Sequence, residues 1–258
     1  MISIKSPREI ELMRKAGEIV ALAHKEVAKV IKVGISTKEI DRIIEDLIVS
    51  QGASPSFKGY GGFPAASCIS INDTLVHGIP DETLLKEGDI VSVDIGANYK
   101  GYHGDSAWTY GVGDISEQAK NLMEVCKDSL YHGLSFVKAG NHLGDVSHAI
   151  GEFVYLKGYT VPYDYTGHGI GSSLHEDPAI PNYGEAGKGP ILKVGMVLAI
   201  EPMVHVGKAQ TKVLADEWTV KTKDGSLAAH FEHTVVVLQD GCEILTQLKE
   251  ETIWENKI

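Results

Sequence analysis

From Pro7 onward the chain sets apolar positions against charged ones at helical spacing. Ile10, Met13, Ile19, Leu22 and Val27 form an irregular apolar stripe, which predicts a helix ending near Gly34. Ile40, Ile43, Ile44, Leu47 and Ile48 predict a second helix that stops before Gly52. Its start is signalled by Ser36-Thr37-Lys38-Glu39, with Glu39 three residues beyond Ser36 as in a capping box. The plan recurs later, with helices predicted around 122–137 and 143–156. Short β-branched runs predict strands at 66–71, 90–95, 106–110, 197–200 and 234–238. The stretch from Pro178 to Pro190, rich in glycine and proline, reads as an ordered loop. Helices followed by strands, twice over, predict an α+β, pseudo-symmetric mixed fold rather than alternating βαβ units.

The chain also matches itself. Leu85-Lys86-Glu87-Gly88 leads into the run ending at Asp94, and Leu192-Lys193-Val194-Gly195 leads into the run ending at Glu201, an offset of 107. Lys32-Val33-Gly34 with Glu39-Ile40 matches Lys138-Ala139-Gly140 with Asp145-Val146 at an offset of 106, and Gly52 and Gly158 follow at the same offset. A nearly constant offset points to duplication: one catalytic domain over 1–258, with two similar halves of about 1–112 and 113–258 around one cleft.

Composition narrows the function. A length of 258 residues suffices for a large core, and a net charge of −11 disfavours a nucleic-acid binder that neutralises phosphates broadly. No apolar run is long enough to span a bilayer, and the N-terminal residues lack the pattern of a signal peptide. Cys68, Cys126 and Cys242 are odd in number and widely spaced, forming neither a disulfide framework nor a paired-thiol zinc pattern. The expectation is a reduced, cytoplasmic protein without a membrane or nucleic-acid partner.

Five positions suggest a dinuclear metal site: Asp94, Asp105, His168, Glu201 and Glu232. Four carboxylates and one imidazole can hold two divalent ions, activate a water and stabilise charge on an attacked carbonyl. Asp94 and Asp105 flank a turn-rich segment; a turn centred on Tyr99-Lys100 would set residue 94 directly opposite residue 105, both carboxylates on one face. Glu201 follows the apolar Val197-Leu198-Ala199-Ile200, and Glu232 precedes Thr234-Val235-Val236-Val237. A carboxylate beside such a strand is costly unless paired or metal-bound. Glycines flank His168 in Gly167-His168-Gly169, allowing close backbone approach. His77 and His175 read as polar helpers able to donate or accept a proton near neutrality. His103, His205, His230 and His233 stand in reserve, while His24, His132, His142 and His148 fall in helical segments and read as ordinary surface or core residues.

In its motifs the chain resembles type I methionine aminopeptidase over nearly all its length. The resemblance rests on Cys68-Ile69-Ser70-Ile71-Asn72, His77-Gly78-Ile79-Pro80, His103-Gly104-Asp105-Ser106, Gly167-His168-Gly169-Ile170-Gly171, Ile200-Glu201-Pro202 and Phe231-Glu232-His233-Thr234, in that order and spacing. It implies the "pita bread" fold of creatinase and aminopeptidase relatives, with pseudo-twofold halves around a central antiparallel-sheet cleft. It implies that Asp94 chelates one ion, that Asp105 and Glu232 bridge both, and that His168 and Glu201 complete the other ion's shell. Cobalt, manganese and iron are the ions it suggests. The implied reaction removes the initiator methionine from nascent proteins, with a small second residue preferred, by attack of a bridging water or hydroxide on the first peptide carbonyl. His175 would meet the scissile carbonyl, His77 the leaving-side amide, and Glu201 would transfer protons. Phe57, Tyr60, Phe63, Cys68, Leu174 and Trp218 would wall the methionine slot. Phe57 and Phe63 stand where some relatives carry cysteine and tyrosine, and Gly96 replaces a hydroxyl residue. The implied partners are nascent polypeptide N-termini. The implied state is a monomer, and any ribosome contact would use the catalytic domain's own surface.

Two other readings compete. Aminopeptidase P and prolidase share fold and ligands, but those relatives usually carry a further domain ahead of the catalytic one, for which this chain shows no room. A metal-free interaction protein on the same scaffold would be expected to lose ligands, and all five positions are kept here.

Overall fold

The computed structural model describes residues 2–248. Helix α1 (Pro7–Val30) opens with a full capping box: the Ser6 hydroxyl accepts from the Glu9 amide while Glu9 Oε2 accepts from the Ser6 amide at 2.7 Å, and Pro7 sits where no amide partner is needed. Helix α2 (Thr37–Ser50) begins as expected, but only half of the predicted box forms, the Ser36 hydroxyl accepting from the Glu39 amide at 3.1 Å. The short strand β1 (Ser54–Pro55), β2 (Ser67–Ile71) and β3 (Thr74–Val76) follow, then the hairpin of β4 (Ile90–Tyr99) and β5 (Tyr102–Gly111). The second part repeats the order of helices then strands. It runs α3 (Glu117–Leu134), α4 (Leu143–Leu156), β6 (Thr166–Gly169), β7 (Glu176–Pro181), β8 (Val197–Ile200) and β9 (Met203–His205), then β10 (Thr211–Val213), β11 (Val220–Thr222), β12 (Ala228–His230), β13 (His233–Val237) and β14 (Cys242–Ile244).

In the first sheet, β4 is paired antiparallel with β1 and β2 on one side and with β5 on the other. The second runs β14-β13-β8-β6-β7, also antiparallel. Side chains and main chain join the two sheets where β5 meets β13. The Asp105 amide donates to Thr234 Oγ1 at 3.0 Å, that hydroxyl donates back to the Asp105 carbonyl at 2.8 Å, and the Glu232 amide donates to the Ala107 carbonyl at 2.9 Å. A main apolar core packs the helices onto both sheets, with Ile19, Ile44, Trp108, Leu122, Ile150, Leu198 and Val235 all fully or almost fully buried. Next to Asp105, Gly104 lets α1 pass close over β5: a Cβ there would lie 2.7 Å from the Gly17 amide nitrogen.

Two further expectations need correction. The hairpin turn centres on Lys100-Gly101, one residue later than expected, so Asp94 faces Ala107 and Asp105 faces Gly96. Lys100 (φ 51°) and Gly101 (φ 88°) both take the left-handed conformation that a tight two-residue hairpin demands, and glycine at 101 makes that turn favourable there. The move shifts pairing by two positions, so both carboxylates keep one face as diagonal neighbours. The beginning of the stretch read as a loop after Pro178 belongs to β7. Proline is tolerated there because β7 is the sheet's edge.

His24 shows how α1 is tied down. Its Nε2 donates to the Ser106 carbonyl at 2.9 Å, which leaves Nδ1 to accept from the Tyr110 hydroxyl at 2.9 Å. Burial pushes this imidazole down to about 4, so the folded state holds it neutral. The unfolded chain takes up the proton first, near pH 6.5. The stabilisation is therefore complete above that pH and is lost as the pH falls towards 4, by about 3 kcal/mol at most. Urea unfolding of wild type and His24→Gln at pH 7.5 and 4.5 is expected to show a smaller acid-induced loss in the variant. Equal losses would mean that His24 does not couple to the fold.

Candidate metal centre and substrate slot

Each polar group of the site stands at a strand or a strand end. Asp94 and Asp105 project from β4 and β5, His168 from β6, and Glu201 follows β8 directly. Glu232 lies in the short link between β12 and β13. The structure brings all five predicted positions to one cavity of about 150 Å³. Asp105 and Glu232 are buried, while Asp94 and Glu201 open partly into the cavity.

Main-chain anchors hold these residues. The Asn182 amide group donates to the Glu201 carbonyl at 2.9 Å, and the Ser106 hydroxyl donates to the Glu232 carbonyl at 2.6 Å. Their carboxylates are left facing the cavity and one another. Burial, reinforced by neighbouring negative charge, pushes the Asp94, Glu201 and Glu232 carboxyls well above their ordinary range, and burial also raises Asp105. The buried oxygens Asp94 Oδ1, Asp105 Oδ1 and Glu232 Oε1 have no hydrogen-bond partner.

His168 could serve as a ligand. Its Nδ1 donates to the Gly169 carbonyl at 2.9 Å, which leaves a lone pair on Nε2, and burial lowers its pKa to about 4. Nε2 lies 3.6 Å from Glu201 Oε1 and 3.9 Å from Asp105 Oδ2. Both distances exceed a sound hydrogen bond, yet donors about 2.1 Å from one shared ion stand about 3–4.3 Å apart. Unsatisfied buried oxygens, raised carboxyls and a neutral imidazole at these separations fit divalent cations.

Beside the carboxylates the cavity turns apolar. The six expected wall positions, Phe57, Tyr60, Phe63, Cys68, Leu174 and Trp218, all line it, as does Val76, which the sequence reading did not single out. Phe63 and Trp218 meet edge to face with centroids 5.2 Å apart. Burial and the surrounding carboxylates push the Cys68 thiol up, so it is an inert part of the wall. His77 and His175 both reach the cavity. His77 adopts a left-handed backbone (φ 57°), and its ring lies edge-on to Trp218 and Tyr165. His175 Nδ1 is 2.8 Å from the Tyr60 hydroxyl. The next residue, Glu176, accepts from Lys5 Nζ at 2.6 Å and Ser3 Oγ at 2.7 Å, clamping the loop to the N-terminal segment.

Of the reserve histidines, His230 lines the cavity. His103 is held by Ser56 and Asn98, His205 donates to the Lys208 carbonyl, and His233 pairs with Thr246. No local pattern marked His230 out from the other reserve histidines: β12 ends at it, and Glu232 lies beyond in the link to β13.

Residues 11–239 match the model of metallopeptidase family M24, and the chain belongs to that family. Within it, the chain is 57% identical over 248 residues to methionine aminopeptidase 1 of Bacillus subtilis (strain 168), covering 96% of this chain and 100% of that one. A crystal structure of methionine aminopeptidase from Thermotoga maritima superposes with a TM-score of 0.95 at 49% identity, covering 96% of this chain and 100% of that one. The prolidase from Pyrococcus furiosus superposes at 0.79 with 26% identity, over 96% of this chain and 66% of that one. The architecture is the expected pita-bread fold of this family.

Phe57 and Gly96 form one packing arrangement. Gly96 shares the Asp94 face of β4, and a Cβ there would lie 2.7 Å from both Phe57 Cε1 and Ser56 Cβ. The ring occupies the space a larger residue would take. Gly96→Thr is expected to displace Phe57 and destabilise the protein by about 1–3 kcal/mol. Adding Phe57→Cys should recover part of that loss, leaving the contact with Ser56, a coupling that denaturation of both single variants and the double variant would measure. Additive losses would show that the two positions are independent.

Proposed function

We propose that this chain is a metal-dependent aminopeptidase that removes the N-terminal methionine from peptides and nascent proteins, preferring a small second residue. The observation that carries this reading is the junction of a buried carboxylate cluster with an aromatic-walled slot. Asp94, Asp105, His168, Glu201 and Glu232 would hold two divalent ions of the cobalt, manganese or iron kind. When bound, such ions supply an activated water nucleophile and polarise the scissile carbonyl.

The protein's own groups select and position the substrate. Phe57, Phe63, Cys68, Leu174 and Trp218 take the unbranched methionine side chain, whose thioether packs well against aromatic edges. Burial lowers His77 and His175 below their ordinary range, so both are neutral at pH 7. With His175 Nδ1 accepting from the Tyr60 hydroxyl, its Nε2 carries the proton and donates to the carbonyl oxygen as charge develops there. His77 hydrogen-bonds the leaving-side amide. The Glu201 carboxylate takes a proton from the attacking water and returns it to the leaving nitrogen.

The same reading makes the chain one catalytic domain built by duplication. Helices α2 and α4 are each 14 residues long. They begin 106 positions apart, and the strand orders β2-β4-β5 and β6-β8-β13 correspond. Among the described residues no helix is long and apolar enough to cross a membrane. A cytoplasmic monomer acting on emerging chains, with any ribosome contact made through its own surface, fits this picture.

Metal-stripped protein incubated anaerobically with Met-Gly-Met-Met is expected to release only the first methionine, and only after manganese, iron or cobalt is restored. His175→Ala should lower kcat by about 10²-fold or more. Cleavage of Xaa-Pro peptides without methionine release would replace this reading with a prolidase-like activity.

A further inference from the structure

His230 joins two features: a buried, unpartnered Nε2, as His205 also has, and a position facing carboxylates, as His168 also has. Its backbone is pinned at the end of β12: its amide donates to Thr109 Oγ1 at 3.0 Å, and that hydroxyl donates to its carbonyl at 2.9 Å. The side chain is 2% exposed, and its Nε2 has no hydrogen-bond partner. That nitrogen points into the carboxylate cluster, 3.5 Å from Glu201 Oε2 and 3.9 Å from Glu232 Oε2. Neither distance makes a sound hydrogen bond. Both fall in the range of about 3–4.3 Å expected for two donors on one divalent ion. The spacing repeats that of His168, which faces the other oxygen of the same carboxylate, Glu201 Oε1, at 3.6 Å. Glu201 thus stands between two imidazoles, with one oxygen turned to each.

We propose that His230 is a sixth metal-facing donor of this chain, completing with Glu201 and Glu232 a nitrogen–oxygen–oxygen set on the side of Glu201 away from His168. The inference rests on the reading of the cavity as a metal centre. A buried imidazole that lacks a partner is costly by itself, and a cation shared with two carboxylates supplies that partner. A second nitrogen also changes which ions are favoured. Imidazole suits cobalt, iron and zinc, whereas an all-oxygen set suits manganese and magnesium better. His230 therefore biases the centre towards the later transition ions.

The test uses metal-stripped full-length protein titrated anaerobically with Co²⁺ and, separately, Mn²⁺. Calorimetry reads the affinities, and the proton NMR spectrum of the Co²⁺ form reads the imidazoles directly, because each coordinated ring shifts its remaining exchangeable N–H far downfield. Two such resonances are expected in the unmutated protein, one disappearing in His230→Gln and the other in His168→Gln. Co²⁺ should bind His230→Gln about tenfold or more weakly, with a smaller change for Mn²⁺. One resonance in the unmutated protein, lost in His168→Gln, with unchanged Co²⁺ affinity in His230→Gln, would overturn the proposal while leaving the metal centre standing. If the unmutated protein binds neither ion, the reading of the centre itself fails and this inference falls with it. The unmutated spectrum decides the matter even if a variant does not fold.

Discussion

Mutual repulsion among four carboxylates gathered in one partly buried cavity is the constraint on which the rest of this structure depends. Two like charges about 4 Å apart near a protein surface repel by about 4 kcal/mol, and burial adds a desolvation cost to each. Here Asp94, Asp105, Glu201 and Glu232 come from four separate stretches of chain and converge with few compensating hydrogen bonds. Such a gathering persists only where the backbone leaves no alternative and where cations can take the charge. The backbone meets the first condition at the β5–β13 seam. Thr234 bonds both amide and carbonyl of Asp105, and the Glu232 amide is tied to Ala107. The donor set meets the second.

The cavity divides its labour by polarity. Carboxylates and imidazoles occupy one wall, while aromatic rings, a leucine and an inert thiol form the other. The polar wall carries the groups that the proposed chemistry needs, and a fold alone does not specify a substrate. In the proposed reading selectivity would lie in the apolar wall, which Phe57 and Phe63 help to form. Gly96 belongs to the strand that carries Asp94, yet its missing side chain makes room for Phe57 in the slot. The two walls are thereby coupled through packing, two residues from Asp94.

Much of this was legible in the amino-acid sequence. Helices α2 and α4, strand β8, the five acidic and histidine positions, the two helper histidines and the six wall residues could all be named from periodicity, local composition and motif resemblance. Misplacements came where local signals were weak. The hairpin turn was set one residue early, because Tyr99-Lys100-Gly101-Tyr102 allows two tight turns and only the pairing of the flanking strands selects one. Strand β7 was concealed by its prolines, which an edge strand tolerates. His230 looked like one reserve histidine among four, since nothing in Ala229-His230-Phe231 tells whether the ring meets solvent, core or carboxylates.

The sequence by itself determined the helical and strand periodicity, the duplication-like spacing and the identity of the ionisable groups. These follow from side-chain chemistry and short-range geometry, which are written along the chain. Only the tertiary structure decided which oxygens face one another, that Phe57 fills the space above Gly96, and that Glu201 lies between two imidazoles. Those outcomes depend on contacts between residues far apart in sequence, where a shift of one turn residue or an edge strand changes the partners and no local pattern records the result.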